Sequence, residues 1–258
     1  MSFRHVVITG AGSGIGAALA HAYAQSGVRL SLCGRNSARL DIIAEACRAA
    51  GADEVAIGIC DVTEADVLQR WLETIDDERP VDLLIANAGI GGAGTLTKDQ
   101  AEPGAVARQV IEVNTIGVVN TLTPLLPRFI ARKTGSIAII SSVAGFLGLP
   151  DSPSYSASKA ATTTYGEALR RLLKPRGINV TVVSPGYVET AMSASLPFHR
   201  PFLWSAEKAA RVIQAAIAKG RGELIFPWQF RFAIRLARIL PTRMVDLILM
   251  RFRAKDVW

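Results

Sequence analysis

Seven short runs of consecutive, mostly apolar and β-branched residues punctuate the chain: Val6 to Ile8, Val28 to Cys33, Val55 to Ile59, Leu83 to Ala86, Ser136 to Ile140, Asn179 to Val183 and Glu223 to Phe226. Turn-forming residues bound each of them. Between the runs the apolar positions recur every three or four residues, over Ile15 to Gln25, Ala38 to Ala49, Ala65 to Ile75, Ala105 to Arg132, Tyr155 to Leu173 and Ala206 to Ala218. A strand that is apolar on both faces must be covered on both, and the intervening helices supply the cover. The order predicts an α/β fold: a doubly wound parallel sheet of about seven strands, right-handed crossovers, and helices on both faces. Ligands of such sheets lie beyond the carboxyl ends of the strands.

Past Phe226 the pattern changes. On a helix over Trp228 to Leu240, Arg231, Arg235 and Arg238 fall within about 60° of one another, while Phe230, Phe232, Ile234, Leu236, Ile239 and Leu240 cover about 220° of the remaining surface. Pro241 interrupts it, and a second apolar-basic segment, Met244 to Lys255, follows.

Charge sharpens this division. The 258 residues carry 29 Lys and Arg against 22 Asp and Glu, a net +7 that suggests a polyanionic partner. Half the residues are hydrophobic and only 20% are charged, which excludes a solvated basic chain. Seven basic and two acidic residues lie between Phe226 and Trp258, so the tail carries +5 and the rest only +2. No linker, repeat or charge block divides the chain, so residues 1–258 read as one domain, with 226–258 an amphipathic, basic, C-terminal helical extension of it. Three occupants of the tail's apolar face stay open: the body of the protein or a second subunit, an anionic membrane surface, and nucleic acid. Nucleic acid fits worst, since no stacking or groove-reading motif accompanies the arginines. Cys33, Cys47 and Cys60 are widely spaced, with no C-x-x-C and no nearby His cluster, so neither a disulfide framework nor a metal site is expected. With no room for a signal peptide before His5 to Ile8 and no uncharged apolar stretch of eighteen residues, a cytoplasmic location is expected, with membrane association through the tail left open.

Two motifs carry chemistry. The first apolar run ends in Thr9-Gly10-Ala11-Gly12-Ser13-Gly14-Ile15-Gly16 and opens a helix. Glycines there let backbone approach a pyrophosphate, and a helix N-terminus offers it free N–H groups. After the second run, where an acid would select the ribose 2'-hydroxyl of NAD, the chain reads Cys33-Gly34-Arg35-Asn36. Arg35 could instead pair with a 2'-phosphate, so NADP(H) is expected ahead of NAD(H). The second motif, Tyr155-Ser156-Ala157-Ser158-Lys159, puts a phenol and an ammonium on one helix face. Lowering a tyrosine pKa by roughly 2 to 3 units, as a general base at pH 7 requires, takes about 3 to 4 kcal/mol of preferential stabilisation of the phenolate.

The order of these motifs resembles the short-chain dehydrogenase/reductase family. The resemblance extends to about Phe226 and rests on Thr9 to Gly16, Asp61-Val62, Asn87-Ala88-Gly89, Asn114, Ser142, Tyr155-x-x-x-Lys159, and Pro185-Gly186 followed by Thr190. Where the family usually has Asn-Asn-Ala-Gly, this chain has Ala86-Asn87-Ala88-Gly89. The resemblance implies a Rossmann-like oxidoreductase in which hydride passes between the nicotinamide and a carbonyl or secondary alcohol, with Tyr155 as general acid/base. Lys159 would bind the nicotinamide ribose and lower the Tyr155 pKa. Ser142, thirteen residues before the tyrosine, would hydrogen-bond the substrate oxygen in preference to Ser141, and Asn114 would hold a relay water. For the cofactor it implies Gly10, Ser13, Gly14, Ile15 and Gly16 at the phosphates, and Asp61 and Val62 at the adenine. Asn87, Ala88 and Gly89 would line the adenine ribose, and Pro185, Gly186, Val188 and Thr190 the nicotinamide amide and phosphate. It also implies a homodimer or homotetramer. Substrate residues are expected from Val143 to Asp151, Ile90 to Gly94 and the lid Tyr187 to Trp204, whose Met192, Leu196, Phe198, Phe202, Leu203 and Trp204 favour a hydrophobic small molecule. A nucleotide-responsive binding or scaffold protein on the same fold is the second reading. The complete Asn114, Ser142, Tyr155 and Lys159 set favours catalysis.

Overall fold

The computed structural model describes residues 3–25, 27–91, 102–196 and 199–251. In chain order the elements are β1 (His5–Thr9), α1 (Gly14–Tyr23), β2 (Arg29–Gly34), α2 (Ser37–Ala49), β3 (Glu54–Ile59), α3 (Ala65–Glu78) and β4 (Leu83–Ala86). There follow α4 (Gly104–Ile111), a π-helical turn (Glu112–Ile116), α5 (Gly117–Leu122), α6 (Leu126–Arg132), β5 (Gly135–Ile140), α7 (Pro153–Leu173) and β6 (Ile178–Pro185). The last are α8 (Ala191–Ala194), α9 (Ala206–Ala218), β7 (Glu223–Phe226), α10 (Trp228–Ala237) and α11 (Thr242–Arg251).

The seven strands form one parallel sheet in the order β3-β2-β1-β4-β5-β6-β7. It is the expected Rossmann-like, doubly wound fold with an added helical C-terminal region. Successive β1 side chains belong to different cores. Val6 and Ile8 join Leu19, Leu40 and Ile213 from α1, α2 and α9, whereas Val7 joins Leu68, Leu72, Phe129 and Leu169 from α3, α6 and α7. Each large apolar side chain so buried contributes roughly 1.5 to 3 kcal/mol, which is why apolar residues predominate in the strands. After β3 the chain crosses to β4 on the other side of β1, so the winding reverses between β1 and β4 and opens a crevice above their carboxyl ends.

Two polar groups are locked inside this frame. His5 is fully buried, its Nδ1 donating to the Arg79 carbonyl (2.6 Å) and its Nε2 accepting from the Ser31 hydroxyl (2.9 Å). Burial holds its pKa below the ordinary 6.5, against the opposing pull of the Arg79 hydrogen bond. The Asp76 carboxylate accepts from Val81 N–H (2.8 Å), Arg132 (2.7 Å) and Arg128 (3.2 Å), tying α3 to α6.

The continuous helix expected over Ala105 to Arg132 is divided. The π-helical turn interrupts it at Asn114, and residues 123–125 form a turn because Pro124 lacks an N–H and its ring would strike the preceding turn of helix. The helix expected over Trp228 to Leu240 ends at Ala237, and α11 begins at Thr242, directly after Pro241. Residues 252–255 of the second apolar-basic segment lie outside the described residues, as do residues 92–94 and Phe198.

Candidate active site

The cleft begins where β1 runs into α1. Gly10 and Gly14 take positive φ values of 67° and 56°, which L side chains rarely adopt. A Cβ on Gly10 would also fall 2.7 Å from the Ala88 Cα. The β1 and β4 termini are stapled together: Asn87 Nδ2 donates to the carbonyls of Thr9 (3.0 Å) and Gly10 (3.2 Å), and Thr9 Oγ1 accepts from the N–H groups of Asn87 (3.2 Å) and Ala88 (3.3 Å). Ser13 precedes α1 in an extended conformation and makes no side-chain cap, so the N–H groups of the first turn are not satisfied by it. This is a cradle for an anion, with the positive end of the helix dipole behind it.

At the ends of β2 and β3, Arg35 Nη1 lies 3.3 Å from Asp61 Oδ2. Asp61 Oδ1 accepts from the backbone N–H (3.0 Å) and hydroxyl (2.9 Å) of Thr63. Burial opposes ionisation of Asp61, but the Thr63 hydrogen bonds and the Arg35 guanidinium outweigh it and hold the carboxyl below its ordinary value. Asn36 caps α2 by accepting the Arg39 N–H (2.9 Å), which sets Arg39 on the same cleft wall as Arg35.

The opposite wall comes from β5 and α7. Glu102 accepts from the N–H (3.2 Å) and hydroxyl (2.6 Å) of Ser154, placing a carboxylate at the N-terminus of α7. One turn in, Lys159 Nζ donates to the Ile140 carbonyl (3.0 Å) and lies 5.8 Å from the centre of the Tyr155 ring. Of the paired serines, Ser141 is turned into the protein, donating to the Lys159 carbonyl (2.9 Å) and meeting Thr163 Oγ1 (2.7 Å). Ser142 is hydrogen-bonded to Tyr155, and its oxygen accepts the Ala144 N–H (3.1 Å). Burial pushes the Tyr155 phenol up, with the Ser142 hydrogen bond pulling the other way. Burial also brings the Lys159 ammonium down to about 8. Among the described residues no carboxylate pairs with Lys159 to offset that burial.

Together these walls enclose a cleft of about 590 Å³. Gly10, Ser13, Gly14, Ile15, Arg35, Asp61, Val62, Asn87, Ala88, Gly89, Ser142, Tyr155, Lys159, Pro185, Gly186, Val188 and Thr190 all line it. Two expected residues do not. Gly16 is buried behind the loop, where a Cβ would fall 2.2 Å from the Gly10 carbonyl oxygen, so it allows α1 to approach β1. Asn114 is fully buried in the π-helical turn: its Oδ1 accepts the Ile90 N–H (2.8 Å), and its Nδ2 donates to the Ile90 carbonyl (3.0 Å) and Ser158 Oγ (3.1 Å). Both Nδ2 protons are thereby used, while Oδ1, which accepts one of its two possible bonds, keeps an acceptor site for a water. The sequence pattern does not single out Arg39, because Arg35 precedes the Asn36 cap and helical spacing does not relate the two.

A short lid crosses the cleft. Thr190 caps α8 in a reciprocal box with Ser193, and a Cβ on Gly14 would fall 2.9 Å from Thr190 Cγ2. Met192 Cγ lies 3.2 Å from the Cβ position of Gly91. The lid's stems are paired, Glu189 N–H donating to the Trp204 carbonyl (2.8 Å) and Trp204 N–H to that of Tyr187 (3.0 Å). Ala144 and Leu149 line both this cleft and an apolar groove of about 710 Å³, which continues past Phe146 and Leu147 to Leu249 and Met250 of α11. No cluster of metal-ligating side chains occurs among the described residues.

A model of the short chain dehydrogenase family matches residues 4–200. An uncharacterized oxidoreductase of Myxococcus xanthus (strain DK1622) is 37% identical over 254 residues, covering 98% of this chain and 99% of that one. Among solved structures, an actinorhodin polyketide ketoreductase with NADPH is 27% identical at a TM-score of 0.77, covering 86% of this chain and 95% of that one. A short chain dehydrogenase from Mycobacterium paratuberculosis bound to NAD is 25% identical at a TM-score of 0.75, with the same coverage of 86% and 95%.

Proposed function

The chain belongs to the short chain dehydrogenase family of oxidoreductases, and on that premise we propose that it uses NADP(H) to interconvert a carbonyl and a secondary alcohol on a hydrophobic substrate. The observation that carries this reading is the placement of Ser142, Tyr155 and Lys159 on one wall of the same cleft whose other end is the glycine cradle. The cradle fits a dinucleotide: Gly10 and Gly14 leave room for a pyrophosphate against the α1 N-terminus, and Arg35 and Arg39 stand at the adenosine end. Bound there, the nicotinamide would supply the hydride donor or acceptor.

The protein's own part is positioning and proton transfer. In the reducing direction the Tyr155 phenol gives its proton to the substrate oxygen. The Ser142 hydroxyl, its oxygen already held by Ala144 N–H, donates a hydrogen bond to that same oxygen. In the oxidising direction Tyr155 takes the proton back, and the neighbouring Lys159 ammonium favours the phenolate that must form. Asn114 acts at one remove, by fixing Ile90 and Ser158. Arg35 and Arg39 support NADP(H) over NAD(H), and the apolar groove continuing through Ala144 and Leu149 supports a hydrophobic substrate. A panel of apolar ketones and alcohols with either cofactor, followed by nicotinamide absorbance, tests the reading. Tyr155→Phe should lower kcat by about 10²- to 10⁴-fold while leaving cofactor binding intact. Undiminished turnover by that variant would remove Tyr155 from the chemistry.

A further inference from the structure

The apolar residues of α10 divide into two opposed faces. Phe230, Ile234 and Ala237 turn inward: Phe230 packs edge-on against Tyr187 (6.0 Å) and Phe202 (5.9 Å), and Ile234 is buried. On the opposite side Trp228, Phe232 and Leu236 lie within about 80° of one another at 100° per residue, and Ile239 continues the stripe past the helix end. Their exposures are 71%, 64%, 47% and 82%. In α11, Met244, Leu247 and Ile248 are exposed as well, Leu247 at 64%. These are large side chains in water, aligned along one face of α10 and present again in α11, unlike the scattered single exposures of an ordinary surface.

Arginines edge this apolar stripe. Arg231 and Arg235 fall between the outward and inward faces of α10, and Arg243 lies in the first turn of α11. Among the described residues none of the three has a carboxylate partner, although the body of the protein pairs several of its own arginines. Arg238 lies 5.3 Å from the centre of the Phe146 ring and so ties the end of α10 to the loop beside the cleft. The arrangement of an apolar stripe with unpaired guanidinium groups along its edge matches the layered chemistry of an anionic bilayer surface, acyl chains beneath phosphate and carboxylate headgroups. No helix among the described residues is long and apolar enough to span a membrane, so the contact is in the plane of the surface. A second copy of this chain fits less well, because α10 carries no carboxylate to meet these arginines across a two-fold contact.

We propose that the outward face of α10 and α11 docks the protein on anionic lipid membranes. The proposal stands independently of the substrate and cofactor assigned above. It is tested with the full chain and vesicles of phosphatidylcholine alone or with added phosphatidylserine, by flotation and by the emission of Trp228, assigned through a Trp228→Phe control. Flotation with the serine-containing vesicles, weakened by salt and accompanied by a blue shift of Trp228, is the expected result. Phe232→Ser combined with Ile239→Ser, and separately Arg231→Glu combined with Arg235→Glu, should each reduce partitioning at least about tenfold. Both pairs are exposed, so thermal melting should stay at the wild-type value. If the serine pair does melt early, the arginine pair alone decides. Absence of flotation overturns the proposal, as does equal partitioning into both vesicle types or indifference to the arginine pair. Light scattering that shows a dimer broken by Ile239→Ser, without vesicle binding by the wild type, would reassign the face to an interface between copies.

Discussion

Removing the guanidinium groups at the adenosine end of the cleft is expected to weaken NADPH far more than NADH. Two unit charges 4 Å apart interact by about 1 kcal/mol in bulk water and about 4 kcal/mol at an effective dielectric of 20. The Arg35 side chain is 61% exposed, so its attraction to a 2'-phosphate lies between these limits, at about 2 kcal/mol. Part of that is offset, because Arg35 must share or release Asp61, an exposed pair contributing up to about 1 kcal/mol. The net loss for Arg35→Ala is therefore about 1 to 2 kcal/mol, a rise in NADPH Kd of roughly 5- to 30-fold. Arg39 lines the same wall and supplies a second charge, so Arg35→Ala with Arg39→Ala should cost about 2 to 3 kcal/mol, on the order of 100-fold. NADH, lacking the phosphate, should change by less than about twofold. Calorimetric titration of each cofactor at two salt concentrations measures all of this, and the NADPH advantage of the wild type should shrink as salt rises. If the double variant binds NADPH within about twofold of wild type, neither arginine reads a 2'-phosphate and the NADP(H) assignment fails.

Two further outcomes test the frame. Asp76→Ala leaves Arg128 and Arg132 facing a buried gap and Val81 N–H without an acceptor, so a loss of about 3 kcal/mol is expected. In a chain of this size that lowers Tm by about 6 to 12 °C; a fall below about 2 °C would mean that the arginines re-pair fully on Asp77. His5 is held below its ordinary 6.5, so as pH falls through that value the unfolded chain takes up a proton that the folded chain refuses. Stability should therefore decline from pH 7 toward pH 5.5, before Asp76, whose pKa is lowered beneath 3.8, begins to lose its contribution at more acid pH. Melting curves of wild type and His5→Gln over this range check it: equal slopes would show that the dependence arises elsewhere.

The strands were legible because their apolar runs stop at residues that cannot continue them. Leu83 to Ala86 ends at Asn87, and Glu223 to Phe226 ends at Pro227; both match the structure at each end. The glycine loop and the Tyr155–Lys159 pair were legible because local spacing alone sets their geometry. What could not be read depends on distant partners. The π-helical turn serves Asn114, whose partners Ile90 and Ser158 are 24 and 44 residues away. The N-terminus of α7 is completed by Glu102, 52 residues upstream of Ser154. The tail shows the limit most clearly: Ile234 and Phe232 are equally apolar in sequence, and only the seating of Phe230 against Gly186 and Tyr187 decides which is covered.

The position of α8 also joins two events usually treated apart. Its cap residue Thr190 sits against Gly14 at the phosphate end, and its Met192 sits against Gly91, close to where Asn114 fixes Ile90. A molecule that binds better with α8 seated from one end would thereby favour a molecule that needs it seated at the other. Such linkage is reciprocal: a dinucleotide that tightens substrate binding tenfold must itself be held tenfold more tightly by substrate, a coupling of about 1.4 kcal/mol. Were both ligands to seat these four residues of helix, the affinity of each would depend on occupancy by the other.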